Sequence, residues 1–158
     1  MYHKLKKISI VITDIDGVWT DGGMYYDENG NEQKKFNTRD GMGVERLRDH
    51  GIETVICTSE NSNIVIKRAE KLRIEKVYIG IKDKGQFFDL FCKENTIEPD
   101  LIAYIGDDLN DLKIMEKAGF TSCPSDAFEK IKNISDYVCN SNGGGGAFRE
   151  FAELILDS

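Results

Sequence analysis

Ile8-Ser9-Ile10-Val11-Ile12-Thr13-Asp14-Ile15-Asp16-Gly17-Val18-Trp19-Thr20-Asp21-Gly22 decides the fold of this chain. Its apolar, β-branched start reads as a strand buried on both faces, and it stops at two carboxylates spaced i, i+2. Open α/β sheets bind ligands outside the carboxyl ends of their strands, which puts Asp14 and Asp16 on the rim of a site. Two aspartates this close repel each other unless a cation or a shared proton stands between them. A divalent cation with oxygen ligands, Mg2+ before others, answers that repulsion. The plain alternative is an acidic turn, since Asp and Gly are ordinary turn formers.

Working outward, Gly23-Met24-Tyr25-Tyr26 and Gln33-Lys34-Lys35-Phe36 flank Asp27-Glu28-Asn29-Gly30-Asn31. Asn-Gly between two short strand-like runs predicts a hairpin, projecting over or beside the aspartates. Asp40 is placed as the N-cap of the next helix and Gly51 as its C′ residue. Ile52–Cys57 is a second buried strand, ending in Thr58-Ser59-Glu60. A helix is predicted over 63–72, with Ile64, Ala69 and Leu72 on one face. Val77-Tyr78-Ile79 is a short strand, and Asp83-Lys84 opens a helix carrying Phe87, Phe88, Leu90 and Phe91, whose aromatics are assigned to the core. Leu101–Ile105 is a strand ending in Gly106-Asp107-Asp108-Leu109-Asn110-Asp111, followed by a helix through Ala118-Gly119. Phe120–Cys123 is read as the last strand, and a helix from about Ala147 to Leu156 closes the chain. Strands alternating with helices make an α/β fold, a doubly wound parallel sheet with a small β-hairpin insertion. Residues 1–158 are read as one domain.

The composition narrows the function classes. Lys and Arg number 21 against 28 Asp and Glu, a net charge of −7, which argues against nucleic acid and against an anionic membrane as partners. No apolar run approaches the ~20 residues of a membrane span. The basic opening Met1–Lys7 leads into a strand and not into a signal-peptide core. Cys57, Cys92, Cys123 and Cys139 form no C-x-x-C pair, which points to a reduced, cytoplasmic chain.

Four strand ends carry polar clusters: Asp14/Asp16, Thr58/Ser59, the segment around Lys84, and Asp107/Asp111. A parallel sheet converges them on one edge, and together they suit phosphoryl transfer. Asp14 is the candidate nucleophile, forming an aspartyl-phosphate, and Asp16 the acid that protonates the leaving oxygen and then activates water. Thr58 and Lys84 would stabilise charge on the phosphoryl oxygens. Asp107 would complete the Mg2+ shell, with Asp111 bracing it. Singly, Lys84 reads as a solvated helix-start lysine, Thr58 as a loop cap, and Asp107, Asp108 and Asp111 as acids answering a helix dipole. A phospho-acceptor domain uses a similar set, but the second acid of Asp14-x-Asp16 favours turnover.

These residues, in this order, resemble the four motifs of the haloacid dehalogenase superfamily. Thr13–Gly22, Phe36-Asn37-Thr38-Arg39-Asp40-Gly41 and Gly143-Gly144-Gly145-Gly146-Ala147-Phe148-Arg149-Glu150 are similar to its capless 3-deoxy-ulosonate phosphate phosphatases, over essentially the whole chain. The resemblance implies a Rossmann-like core with no cap domain and Mg2+ held by Asp14, Asp107 and the main-chain carbonyl of Asp16. It implies support of that shell from Asp108 and Asp111, and a substrate pocket of Asn37, Thr38, Arg39, Asp40, Gly41, Ser59, Glu60, Arg68 and Lys71. It also implies a homotetramer built by the hairpin, with Gly143–Gly146 and Arg149 as a tail reaching a neighbour's site. Octulosonate 8-phosphate phosphatases usually show Thr-Gly-Arg where this chain has Thr58-Ser59-Glu60. Glu60 with Lys71, and the Trp19 and Gly23-Met24 neighbourhood, match the branch acting on nine-carbon acids (2-keto-3-deoxynononate or N-acylneuraminate 9-phosphate). That is the favoured substrate at this stage, with the eight-carbon octulosonate 8-phosphate as alternative. An alternative of another class is a non-catalytic assembly partner of a cytidylyltransferase.

Overall fold

The computed structural model describes residues 2–158; Met1 lies outside the described residues. A short helix α1 (Tyr2–Leu5) precedes β1 (Ile10–Thr13), which is narrower than the apolar run because the Ile8 N–H is taken up by a turn to Leu5. The hairpin follows as β2 (Tyr25–Tyr26) and β3 (Glu32–Gln33), then α2 (Thr38–Asp49), β4 (Glu53–Cys57), α3 (Asn63–Leu72), β5 (Lys76–Tyr78) and α4 (Lys84–Asn95). The second half is β6 (Ile102–Ile105), α5 (Leu112–Met115), β7 (Phe120–Cys123), α6 (Glu129–Ile134), β8 (Tyr137–Val138) and α7 (Ala147–Leu156).

Six strands form one parallel sheet in the order β5-β4-β1-β6-β7-β8. β1 lies inside it, with Thr13 in register with Ile56 of β4 and Ile105 of β6. Its four residues are all buried, and they alternate between two cores. Val11 faces Val44, Leu47, Val65, Ala69, Phe148 and Phe151 of α2, α3 and α7. Ile10 and Ile12 face Phe88, Phe91, Ile114 and Ile131 of α4, α5 and α6. This is the doubly wound arrangement the sequence predicts, with period-2 strands sandwiched between amphipathic helices. Among the described residues no cap domain stands over the carboxyl edge; the insertion there is the hairpin. Among the described residues no helix is long and apolar enough to cross a membrane.

Several local readings need correction. The cap of α2 is Asn37, whose side chain accepts the Arg39 N–H, while Asp40 lies one turn in and is buried. On α3 the buried residue is Val65 and not Ile64. Of the aromatics of α4, Phe88 and Phe91 are core, while Phe87 is only half-buried against it. The helix predicted through Gly119 is broken into a 3-10 turn (Leu109–Asp111) and the single turn of α5, because Asp111 folds back on the N–H groups of Asp107 and Asp108. β7 is not the last strand: β8, two residues long, pairs Ser122 with Tyr137.

Candidate active site

β1, β4 and β6 end side by side, and their exits open into a cleft of 420 Å3 lined by Asp14, Asp16, Gly17, Gly22, Thr58, Ser59, Glu60, Asp107, Asp108, Leu109 and Asn110. A second cavity, of 330 Å3, lies at the opposite end of β4 among Val44, Arg48, Thr54, Arg73 and Glu75. It holds none of the motif residues, so chemistry decides in favour of the first.

Asp14 extends β1 by one residue, held there by its N–H to Ile105 O at 3.0 Å. One of its carboxylate oxygens accepts the Ile15 N–H at 2.8 Å and the other meets Lys84 Nζ at 2.8 Å. Lys84 opens α4 under the Asp83 cap and its side chain is wholly buried. It also meets Asp111 Oδ1 at 2.6 Å, and Tyr104 OH donates to that same oxygen at 2.5 Å. The other oxygen of Asp111 accepts the N–H groups of Asp107 and Asp108 at 2.8 and 3.2 Å. Asp108 lies at the cleft rim and caps the 3-10 turn through the Leu109 N–H. Thr58 is buried, its hydroxyl accepting the Glu60 N–H, and Asn110 donates across the rim to Ser59 Oγ at 3.0 Å.

The electrostatics are short of positive charge. Asp14, Asp107 and Asp111 bring carboxylate oxygens within 4.8 Å of one another, with Lys84 the cation between two of them. Burial and then Asp111 raise Asp14 from 3.8 to about 7, against the pull of Lys84. Burial, Asp14, Asp111 and Asp108 raise Asp107 to about 8. Burial works against the charge of Lys84, but Asp14 and Asp111 push it above its ordinary value. Hard carboxylate oxygens in deficit of a counter-charge are a donor set that suits Mg2+. Asp14 and Asp107 line the cleft and can ligate there, whereas Asp111 lies fully buried behind them with both oxygens held by protein partners, which makes it their brace. Gly17 lets this closeness occur: it sits at φ +85°, and a Cβ there would lie 1.9 Å from Asp107 Oδ2.

The other predicted positions lie apart from the cleft. Asn37 caps α2 and donates to Gly144 O at 3.0 Å, while Thr38 and Arg39 are exposed on the first turn. Asp40 accepts the Arg149 N–H at 3.0 Å, and Gly41 is buried against Leu72 and Arg68. Arg68 donates to Asn37 O at 3.1 Å and lies over the Phe36 ring; Lys71 is exposed. Within one chain, none of these lines the cleft. Gly143–Gly146 is not a free tail either. It packs on its own chain, where a Cβ on Gly143 would lie 2.0 Å from Gly17 O, and it continues into the buried face of α7. Trp19 is core, its ring tilted at 47° to Phe148 with centroids 4.9 Å apart and its indole N–H donating to Thr13 Oγ1, and it does not line the cleft.

Asp40 yields a stability prediction. Burial, outweighing the Arg149 N–H and Arg68, raises it from 3.8 to about 6. The folded chain therefore binds this proton more tightly than the unfolded one, and the stability it contributes falls as pH rises from about 4 to about 6. Asp40→Asn keeps an acceptor for the Arg149 N–H and removes that slope. Urea melts at pH 4.5 and 7 should show the variant's advantage over wild type growing by about 1–3 kcal/mol from the lower pH to the higher.

Two participants escape sequence reading. Lys34, on the return arm of the hairpin, meets Asp16 Oδ1 at 2.6 Å with its side chain 2 % exposed. Tyr104, in the middle of an apolar strand, spends its hydroxyl on Asp111. A lysine inside Gln33-Lys34-Lys35 and a tyrosine among isoleucines carry no local signal of either role.

The comparisons agree with this geometry. Residues 80–151 match the haloacid dehalogenase-like hydrolase family. The 3-deoxy-D-manno-octulosonate 8-phosphate phosphatase of Haemophilus influenzae is 38 % identical over 159 residues, covering all of this chain and 88 % of the relative. The Escherichia coli phosphatase of the same description is 38 % identical, over 97 % of this chain and 81 % of its own. The crystal structure of the Moraxella catarrhalis phosphatase in complex with magnesium ion, phosphate ion and a KDO molecule superposes with a TM-score of 0.95 at 39 % identity, over 99 % of this chain and 90 % of that one. The cobalt-bound Haemophilus influenzae structure gives 0.93 at 38 % identity, over 98 % and 90 %. By its strand-end motifs, its fold and these relatives, the chain belongs to the haloacid dehalogenase superfamily, in its capless family of 3-deoxy-ulosonate phosphate phosphatases.

Proposed function

We propose that this chain hydrolyses 3-deoxy-octulosonate 8-phosphate, by way of an aspartyl-phosphate on Asp14. The observation that carries the reading is the buried Lys84 joining Asp14 to Asp111 at the floor of a cleft also lined by Asp16, Thr58 and Asp107. Asp14, Asp107 and the main-chain carbonyl of Asp16 would hold Mg2+. When bound, the ion screens the phosphoryl charge from that of the carboxylates. Asp14 attacks phosphorus as the P–O bond to the sugar breaks, and Asp16 gives its proton to the departing oxygen. Lys84 and the Thr58 hydroxyl take up charge on the phosphoryl oxygens. Asp16 then removes a proton from water as that water attacks the phosphorus of the aspartyl-phosphate, returning Asp14.

The relatives reverse the order of substrates drawn from the sequence. Those named at 38 % identity are octulosonate 8-phosphate phosphatases, and Trp19, one support for the nine-carbon reading, is buried away from the cleft. Glu60 lines the cleft and keeps a nonulosonate 9-phosphate as the second reading. Two measurements of kcat/KM decide between them. Wild type is expected to prefer octulosonate 8-phosphate, and Glu60→Arg to raise the eight-carbon to nine-carbon ratio by about 10–100-fold through bidentate pairing with the substrate carboxylate. A wild type that prefers the nine-carbon ester would establish the second reading.

Two further parts of the proposal rest on surface and composition. Met24, Tyr25 and Tyr26 are exposed on the hairpin and support assembly through it into a homotetramer. In such an assembly, Arg39 and Lys71, both exposed, are available to a neighbour's substrate. Four unpaired cysteines support a reducing, cytoplasmic setting.

A further inference from the structure

The hairpin sends one side chain back into the site. Lys34 follows β3, 18 residues beyond Asp16, and its stem is buried although both flanking residues are exposed. Its ammonium lies 2.6 Å from Asp16 Oδ1 and 3.1 Å from Glu32 Oε1. Burying a lysine head is costly unless it is paired, and here it is paired twice. Asp16 is thereby divided. Oδ1 is clamped by the ammonium, while Oδ2 is shielded from solvent and has no protein partner. A buried carboxylate oxygen without a partner is uncommon enough to need a reason. The pairing also removes the rotational freedom of the carboxylate, which is otherwise broad about its last torsion.

We propose that Lys34 is a positioning residue for Asp16: by holding Oδ1 it fixes the orientation of the carboxyl group that delivers the proton to the leaving oxygen. The inference rests on the phosphatase reading above. In the first half-reaction the proton passes from the Asp16 carboxyl to the sugar oxygen as its bond to phosphorus breaks and the Asp14–phosphorus bond forms. In the second, the Asp16 carboxylate receives a proton from the attacking water. Lys34 keeps its own protons throughout. Glu32 balances the ammonium, so the contact fixes direction more than it adds field at the carboxylate. Since Lys34 belongs to the hairpin, the same contact ties the acid to an element outside the sheet.

The test exploits how much each leaving group needs a proton. A sugar alkoxide departs poorly without one, whereas p-nitrophenolate departs without help. kcat/KM reports the steps through departure of the leaving group and is blind to the later attack by water. It is measured for p-nitrophenyl phosphate and for whichever of the two sugar-acid phosphates wild type hydrolyses. Lys34→Met is expected to lose about 100-fold on the sugar-acid ester and under about tenfold on the aryl ester. Lys34→Arg, which can hold the same oxygen, should recover most of that difference. Equal losses on both esters, or an Arg variant as selective in its loss as Met, would overturn the positioning role while leaving the phosphatase reading intact. A wild type that hydrolyses neither ester would overturn the phosphatase reading itself.

Discussion

Asp14→Asn should lower phosphate release by on the order of 10,000-fold or more, in a protein that melts within a few degrees of wild type. The two halves of that result come from the same carboxylate. As nucleophile, Asp14 must offer an anionic oxygen to phosphorus, and an amide offers none. As a structural group it is a burden, because burial and Asp111 raise it to about 7 and its charge is held against that penalty. An asparagine keeps one acceptor for either the Ile15 N–H or Lys84, losing one hydrogen bond of about 1 kcal/mol, while the buried charge disappears. Lys84 retains Asp111 and Tyr104. Release of inorganic phosphate and a thermal melt on the same sample read both halves. Residual activity within tenfold of wild type would sink the nucleophile assignment, whatever the melt shows.

Much of this arrangement was legible because it is written locally. β1 announces itself by β-branched residues on both faces, and α3 by apolar spacing and the polar residues before it; both elements fall close to where periodicity puts them. The acids at strand ends were legible by the same route, since a parallel sheet brings its carboxyl ends together whatever the loops do. What escaped depends on distance. Lys34 and Lys35 look alike in sequence, yet one is buried on Asp16 and the other is exposed near Asp21, since neighbouring residues of an extended segment face opposite sides. Asp40 looks like a cap, but Asn37 wins because its short amide reaches the Arg39 N–H while Asp40 turns inward to the start of α7. Four consecutive glycines suggest a loose end; here Gly143 and Gly144 lie against the Gly17–Asp21 loop, where a Cβ would meet backbone at 2.0 and 2.7 Å. Composition misleads there because a side chain's absence can be a packing requirement as well as a freedom. α6 and β8 escaped because six and two residues are too few to show a period.

Lys84→Met tests the same site from the side of its cation, and its signature is a pH dependence steeper than the one Asp14 already gives wild type. Removing the ammonium leaves Asp14 and Asp111 buried together, with Tyr104 the remaining donor at Asp111 Oδ1. Breaking a buried ion pair by deleting one partner costs about 3–5 kcal/mol, because the other charge is stranded. Methionine fills most of the lysine stem's volume, which keeps a cavity from adding to that figure. Asp14, already raised to about 7 beside Lys84, then rises further, so the folded state binds its proton more tightly than the unfolded one from about pH 4 up to a value above 7. Stability must fall as pH rises through that window. The deficit relative to wild type is therefore expected to be largest at pH 8 and to shrink toward pH 5. Lys84 in wild type adds no slope over that range, since both its folded and unfolded values lie above it. Urea melts of both proteins at the two pH values, with chelator present so that no cation substitutes for the ammonium, give the comparison. The catalytic loss at pH 7 should be on the order of 1,000-fold, the scale of losing one charge-stabilising donor on a phosphoryl group. A stability deficit that stays constant from pH 5 to 8 would assign Lys84 to packing. A deficit that closes on acidification assigns it to the charge of Asp14, which the ammonium lowers in wild type against burial and Asp111.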